Sequence, residues 1–210
     1  YNNILNTPMN TEQLKEKIAW LTNRVGLVDF YLEERKSLKR KNSILRICDL
    51  DDTLFCRTEQ LENIQWLKEN RGEAGNTLIA NVLWIHKYTS ENYHPNFPKD
   101  IFSLLEKNND LILTAGMPEL QYMKTKNMNI LDYKIRVVSE GKEKILETIR
   151  YVLFELKYIP SEIIVYEDRP QFFIEYKEFM ESILKSKITI MFVEMNGNLG
   201  YNKIEQVETQ

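Results

Sequence analysis

Five short, nearly continuous apolar runs separated by amphipathic stretches predict an α/β protein. The expected architecture is a doubly wound (Rossmann-like) parallel sheet of about five strands with helices on both faces. Near-continuous apolar runs suit strands covered on both sides, as in a parallel sheet, and the regular alternation calls for right-handed crossovers. Two further features complete the outline. A long interval after the first run leaves room for a small helical insertion, and a helix precedes the whole alternation.

The composition fits this reading. Of 210 residues, 43% are hydrophobic and 28% charged, with only 7 Gly and 6 Pro, which excludes low-complexity and collagen-like chains. No apolar run approaches the length of a membrane span, and no charged-then-apolar signal opens the chain. Two cysteines, Cys48 and Cys56, make neither a disulfide framework nor a zinc site, so the expected location is cytoplasmic. A net charge of −3 gives no general attraction to nucleic acid, and the basic run at 36–41 reads as a solvated helix end.

Residues 11 to about 38 read as one helix. Asn10 is its cap, with Gln13 placed to reach back. Leu14, Ile18, Leu21, Val25, Val28 and Leu32 form a heptad seam, which serves either a coiled-coil homodimer through residues 11–38 or docking on the chain's own domain. Trp20, Leu27, Phe30 and Tyr31 widen the apolar face beyond a seam, which favours docking. Strands are expected at 44–49, 110–114, 134–138, 162–166 and 187–193, and helices at 98–107, 117–127, 141–157 and 170–184. The domain reading is an N-terminal helical extension over 1–41 and a core over 42–210. Within the core, 56–98 is a small helical insertion with helices at 59–70 and 77–90.

Ligands of a doubly wound sheet bind outside the carboxyl ends of its strands. The first strand runs straight into Asp49-Leu50-Asp51-Asp52-Thr53, with no turn residue between. Adjacent carboxylates repel and resist burial, so this strand end calls for a cation. A hard divalent ion such as Mg²⁺ is the simplest choice, and Mg²⁺ beside two strand-end carboxylates is a phosphoryl-transfer arrangement. The second strand delivers Thr114, the third is followed by Lys142, and the fourth ends in Glu167-Asp168-Arg169.

This ordered set resembles the haloacid dehalogenase (HAD) superfamily of aspartate-nucleophile phosphotransferases. The family's first motif, Asp-x-Asp-x-Thr/Val, is matched by Asp49 to Thr53, and its strand-end Thr by Thr114. Its helix-heading Lys is best matched by Lys142, with Lys144 as competitor, and its acidic strand end by Glu167-Asp168. The stretch Tyr166-Glu167-Asp168-Arg169 is also similar to the "Swiss Army knife" RNA-repair-like HAD branch. Phe172 or Phe173 stands where that branch carries His, and Thr114-Ala115-Gly116-Met117 where it reads Thr-Gly-Arg. The resemblance covers about 42–195.

The resemblance implies a HAD-like phosphatase acting through an aspartyl-phosphate. Asp49 is then the nucleophile and Asp51 the acid/base, whose presence argues for phosphoryl transfer over dehalogenation. Mg²⁺ is held by Asp49, the Asp51 main-chain carbonyl and Asp168, with Glu167 standing behind them. Thr114 binds phosphoryl oxygens and Lys142 offsets their charge. Thr53 braces the turn, and Arg169 either pairs with the acidic strand end or touches substrate. Arg57 and His86 are substrate candidates in the insertion, where Trp84 and Tyr93 read as its own core. An insertion of this size leaves the site partly open, to a small phosphorylated molecule or a bulkier one such as a nucleic-acid end. Three functions compete: a phosphomonoester hydrolase, a nucleic-acid end-processing phosphatase, and a non-catalytic HAD scaffold assembling through its N-terminal helix.

Overall fold

The computed structural model describes residues 8–20, 26–56 and 97–208. The helices expected at 59–70 and 77–90, together with Arg57 and His86, lie outside the described residues. The chain forms α1 (Thr11–Lys17), α2 (Leu27–Lys36), β1 (Arg40–Cys48), β2 (Leu111–Ala115), α3 (Pro118–Asn127) and β3 (Lys134–Val138). Then follow α4 (Glu143–Arg150), β4 (Ile159–Glu167), α5 (Gln171–Glu175), α6 (Lys177–Leu184), β5 (Lys187–Met195) and β6 (Tyr201–Gln206). Five parallel strands and one antiparallel strand make a sheet in the order β3-β2-β1-β4-β5-β6.

The chain builds outward from β1 to β3, then crosses to the other side of β1 for β4. The strand order therefore reverses at the β1–β4 junction, where a crevice opens at the carboxyl edge. The register there pairs Ile47 with Val165 and Cys48 with Tyr166. Side-chain alternation divides the core in two. Leu45, Ile47, Ile163 and Val165 face one side and pack with α1, α2, α4 and α6, through residues such as Ile149, Phe179 and Ile183. Cys48, Ile112 and Tyr166 face the other and pack with Leu54, Phe55, Ile101 and Leu120. Helices thus cover both faces.

Five predicted strands are present, and the sixth, β6, is an addition to the expected five. Its sequence, Tyr-Asn-Lys-Ile-Glu-Gln, is polar and mostly exposed, as suits an edge strand that must not recruit another chain. Apolar periodicity does not reveal such a strand.

The single helix expected over 11–38 is corrected to two. The predicted cap is present: Gln13 N donates to Asn10 Oδ1 at 3.0 Å, and Asn10 N donates to Gln13 Oε1 at 2.9 Å. However, α1 stops at Lys17, and α2 starts after Gly26, whose φ of +88° no right-handed helix accommodates. Leu14, Ile18, Val28 and Tyr31 are buried in the chain's own core. Arg35 fixes the pair by donating from Nη1 to the carbonyls of Ser182 (3.0 Å) and Ile183 (2.8 Å) at the end of α6. Those carbonyls have no partner within their own helix.

Two other helices depart from expectation. The stretch 98–107 contains only the 3₁₀ turn Phe102–Leu104. There the Asp110 carboxylate accepts from Glu106 N and Arg46 N, each at 2.8 Å, and turns the chain into β2. The stretch 170–184 is broken at the buried Tyr176 into α5 and α6. The helix expected over 141–157 is α4 continued as the π-helical turn Tyr151–Leu156, ended by Lys157 at φ +56°.

Candidate active site

The turn after β1 folds back on one acceptor. Leu50 O accepts from Leu54 N at 2.9 Å and from Phe55 N at 3.3 Å, while Asp52 N donates to Phe55 O at 2.8 Å. Asp52 takes φ +58°, a left-handed conformation that a short polar side chain tolerates. Leu50, Thr53 and Leu54 are fully buried beneath the turn, so Asp49, Asp51 and Asp52 line the cavity. Thr53 braces the turn through its main chain, where its carbonyl accepts from the Tyr201 hydroxyl of β6 at 2.7 Å.

The cavity, of about 220 Å³, lies at the β1–β4 crevice. Thr114 and Ala115 reach it from the end of β2, Gly141 and Lys144 from the start of α4, and Glu167, Asp168 and Arg169 from the end of β4. Phe172 forms part of the rim, its ring against Gly141, where a Cβ would come within 3.1 Å of a ring carbon. Four strand and helix ends that are far apart in sequence therefore meet as expected.

The lysine is corrected. Lys142 turns away, its Nζ 4.8 Å from the Trp20 ring centroid and 5.2 Å from that of Tyr176. Lys144 reaches the carboxylates instead, 2.8 Å from Asp49 Oδ1 and 2.7 Å from Glu167 Oε2. Residues two apart on a helix point to nearly opposite sides, so with Lys144 facing the strand ends from α4, Lys142 at its cap faces away. Burial pulls the Lys144 ammonium toward neutrality, but Asp49 and Glu167 outweigh it and its pKa is raised. The contact with Asp49 is a charge pair without an aligned hydrogen bond, leaving Oδ1 no hydrogen-bond donor.

One carboxylate oxygen from each of Asp49, Glu167 and Asp168 lies within 4.8 Å of the others. Glu167, expected behind the ligands, is thus a member of the trio. Burial, with Asp49 close by, pushes its carboxyl well above the usual range despite Lys144. Asp168 is pushed up to about 6 by burial and by Asp49 and Asp52; Arg169, 3.6 Å away and largely exposed, opposes this weakly. With one buried lysine against Asp49 and Glu167 and only the exposed Arg169 beside Asp168, the trio is short of positive charge among the described residues, and an all-oxygen donor set suits a hard divalent cation. The Asp51 side chain, on the same cavity wall, has partners of its own: Lys124 Nζ lies 2.7 Å from its Oδ1 and 3.0 Å from its Oδ2, and Gln121 Nε2 donates to Oδ2 at 3.1 Å.

Lys124 and Gln121 escaped the sequence reading. With Thr125 they are buried on α3 at i, i+3 and i+4. A polar stripe at helical spacing, opening just after a strand-end Thr, was the available signal. Cys48 is an inert neighbour: burial, then Asp49 and Glu167, drive its thiol up. Compared with family models, curated proteins and solved structures, the chain matches none at a significant level.

Proposed function

We propose that this chain is a Mg²⁺-dependent phosphomonoester hydrolase working through an aspartyl-phosphate. The observation that carries the reading is Asp49, buried at the β1–β4 crevice against Lys144 at 2.8 Å and grouped with Glu167 and Asp168. A clustered buried charge of this kind costs stability and is more often kept for chemistry than for packing. The family resemblance of the strand-end residues points the same way.

An Asp49 oxygen attacks phosphorus, and the bond to the leaving oxygen breaks as that oxygen takes a proton from Asp51. Water then attacks the same phosphorus. Asp51 takes the water's proton, the bond to Asp49 breaks and phosphate departs. Thr114, at the end of β2, offers its hydroxyl to phosphoryl oxygens, and Lys144 balances the charge between nucleophile and phosphate. Asp49, Asp168 and Glu167 would hold the metal, which supplies charge neutralisation of the phosphoryl group.

Among the described residues Arg169 and Phe172 line one side of the crevice, and the proposed substrate is a small phosphorylated molecule or a nucleic-acid end. Among the described residues no helix is long and apolar enough to cross a membrane, and Cys48 and Cys56 are both buried; a cytoplasmic location is part of this proposal. With Mg²⁺ the protein is expected to hydrolyse an aryl phosphate. Asp49→Asn should lower turnover by roughly 10³-fold or more with an unchanged melting profile. Equal rates for Asp49→Asn and wild type would overturn the covalent mechanism. A screen over metabolites and 3′- and 5′-phosphorylated oligonucleotides separates the substrate classes.

A further inference from the structure

Asp51 stands on a turn at the cavity wall, where a carboxylate has several rotamers open to it. A proton-transfer group must instead hold one orientation, since a displacement of about 1 Å costs on the order of 10²-fold in rate. The orientation here is set from one side by α3. Lys124 Nζ contacts both oxygens, at 2.7 and 3.0 Å, and Gln121 Nε2 donates to Oδ2 at 3.1 Å. The same Gln121 nitrogen donates to Ala115 O at 3.2 Å, next to Thr114. One amide therefore ties the acid/base side chain to the phosphoryl-binding end of β2.

The backbone makes room for this link. A Cβ on Gly116 would come within 2.8 Å of Gln121 Nε2, and the φ of +143° there also favours glycine. The Lys124 side chain is only 3% exposed. Packing does not explain such a placement, because a buried ion pair is on average no more stabilising than apolar residues of equal volume. The pairing is also separate from Lys144, whose contacts are with Asp49 and Glu167. Each of the two buried lysines serves a different carboxylate of the turn.

We propose that Lys124, together with Gln121, is a positioning residue that fixes the Asp51 carboxylate against the leaving oxygen and the attacking water. The inference rests on the phosphatase reading and adds to it a helix, α3, that carries no nucleophile or metal ligand. Asp49 and Asp52 of the same turn, and Glu167 and Asp168 across the crevice, line the cavity that Asp51 faces, so its orientation decides which oxygen it meets.

The test is a double-variant cycle on the full chain, with phenyl phosphate and Mg²⁺. Lys124→Met is expected to lower kcat by about 10²-fold with KM within about threefold. Because Lys124 acts through Asp51, adding Lys124→Met to Asp51→Asn should cost no more than about twofold further. Lys124→Arg should recover part of the loss. Gln121→Leu removes a neutral donor to the same carboxylate and leaves no unpaired ammonium. It should show the same pattern at about tenfold, which keeps the test open if Lys124→Met does not fold. Losses that multiply in the double variant, or a raised KM at unchanged kcat, would overturn the positioning role while leaving the phosphatase intact. If the wild type hydrolyses no phosphomonoester, the phosphatase reading falls and this inference falls with it.

Discussion

The two buried lysines carry unequal burdens, and their removal should be felt differently. Lys144 is the only described cation in contact with both Asp49 and Glu167. Lys144→Met leaves two buried carboxylates without it and is expected to cost about 3 kcal/mol in metal-free protein, measured by denaturant unfolding. Added Mg²⁺ should restore part of that loss if the trio binds it, and no restoration would count against a metal there. Asp168 gives a pH signature. Its carboxyl titrates at about 6 in the fold, against an ordinary 3.8. Between those values the folded state holds a proton that the unfolded chain has lost, so this group's contribution falls as pH rises through that window. Glu167 shifts in the same direction. The melting temperature of wild type relative to Asp168→Asn, in chelator, should therefore drop from pH 4 to pH 6. A flat difference would mean that burial does not penalise Asp168.

At the scale of elements, what was legible depended on how a residue's role is written in the chain. The five parallel strands were legible because strands buried on both faces must be continuously apolar, and their carboxyl ends then brought Asp49, Thr114, Glu167 and Asp168 together. Lys144 was half legible: the helix start was visible, but which of two lysines reaches inward depends on the first turn's direction. Lys124 was hidden because α3 has no clean apolar stripe, and only the folded sheet shows that its polar face meets Asp51. β6 was hidden because an edge strand is polar by necessity. It reaches the site through the Tyr201 hydroxyl, which donates to Thr53 O. Tyr201→Phe should lower stability by about 1 kcal/mol. It should also lower turnover by loosening the turn that bears Asp51 and Asp52. An unchanged kcat would show that the turn holds its shape without the strut.

Across the whole molecule, the N-terminal helices are part of the core. Leu14, Ile18, Val28 and Tyr31 join the cluster formed by the sheet and by Phe179 and Ile183. Leu14→Ala is therefore expected to destabilise the entire domain by roughly 2–4 kcal/mol in a single transition. If α1 and α2 were an appendage, the main transition would stay in place and a separate, earlier one would move. Among the described residues the seam positions Leu14, Ile18 and Val28 are buried, while Phe30 and Trp20 are the large apolar side chains left exposed for a homodimer through 11–38. The bond from Tyr201 to Thr53 spans 148 positions of the chain. During synthesis the turn bearing the carboxylates emerges early, but its strut emerges only after β5 has been made. A nascent chain halted before β6 would carry every side chain of the candidate site and still lack the contact that steadies its turn. On the proposed function, turnover would then rise further as the last strand is added, after the parallel sheet has already assembled.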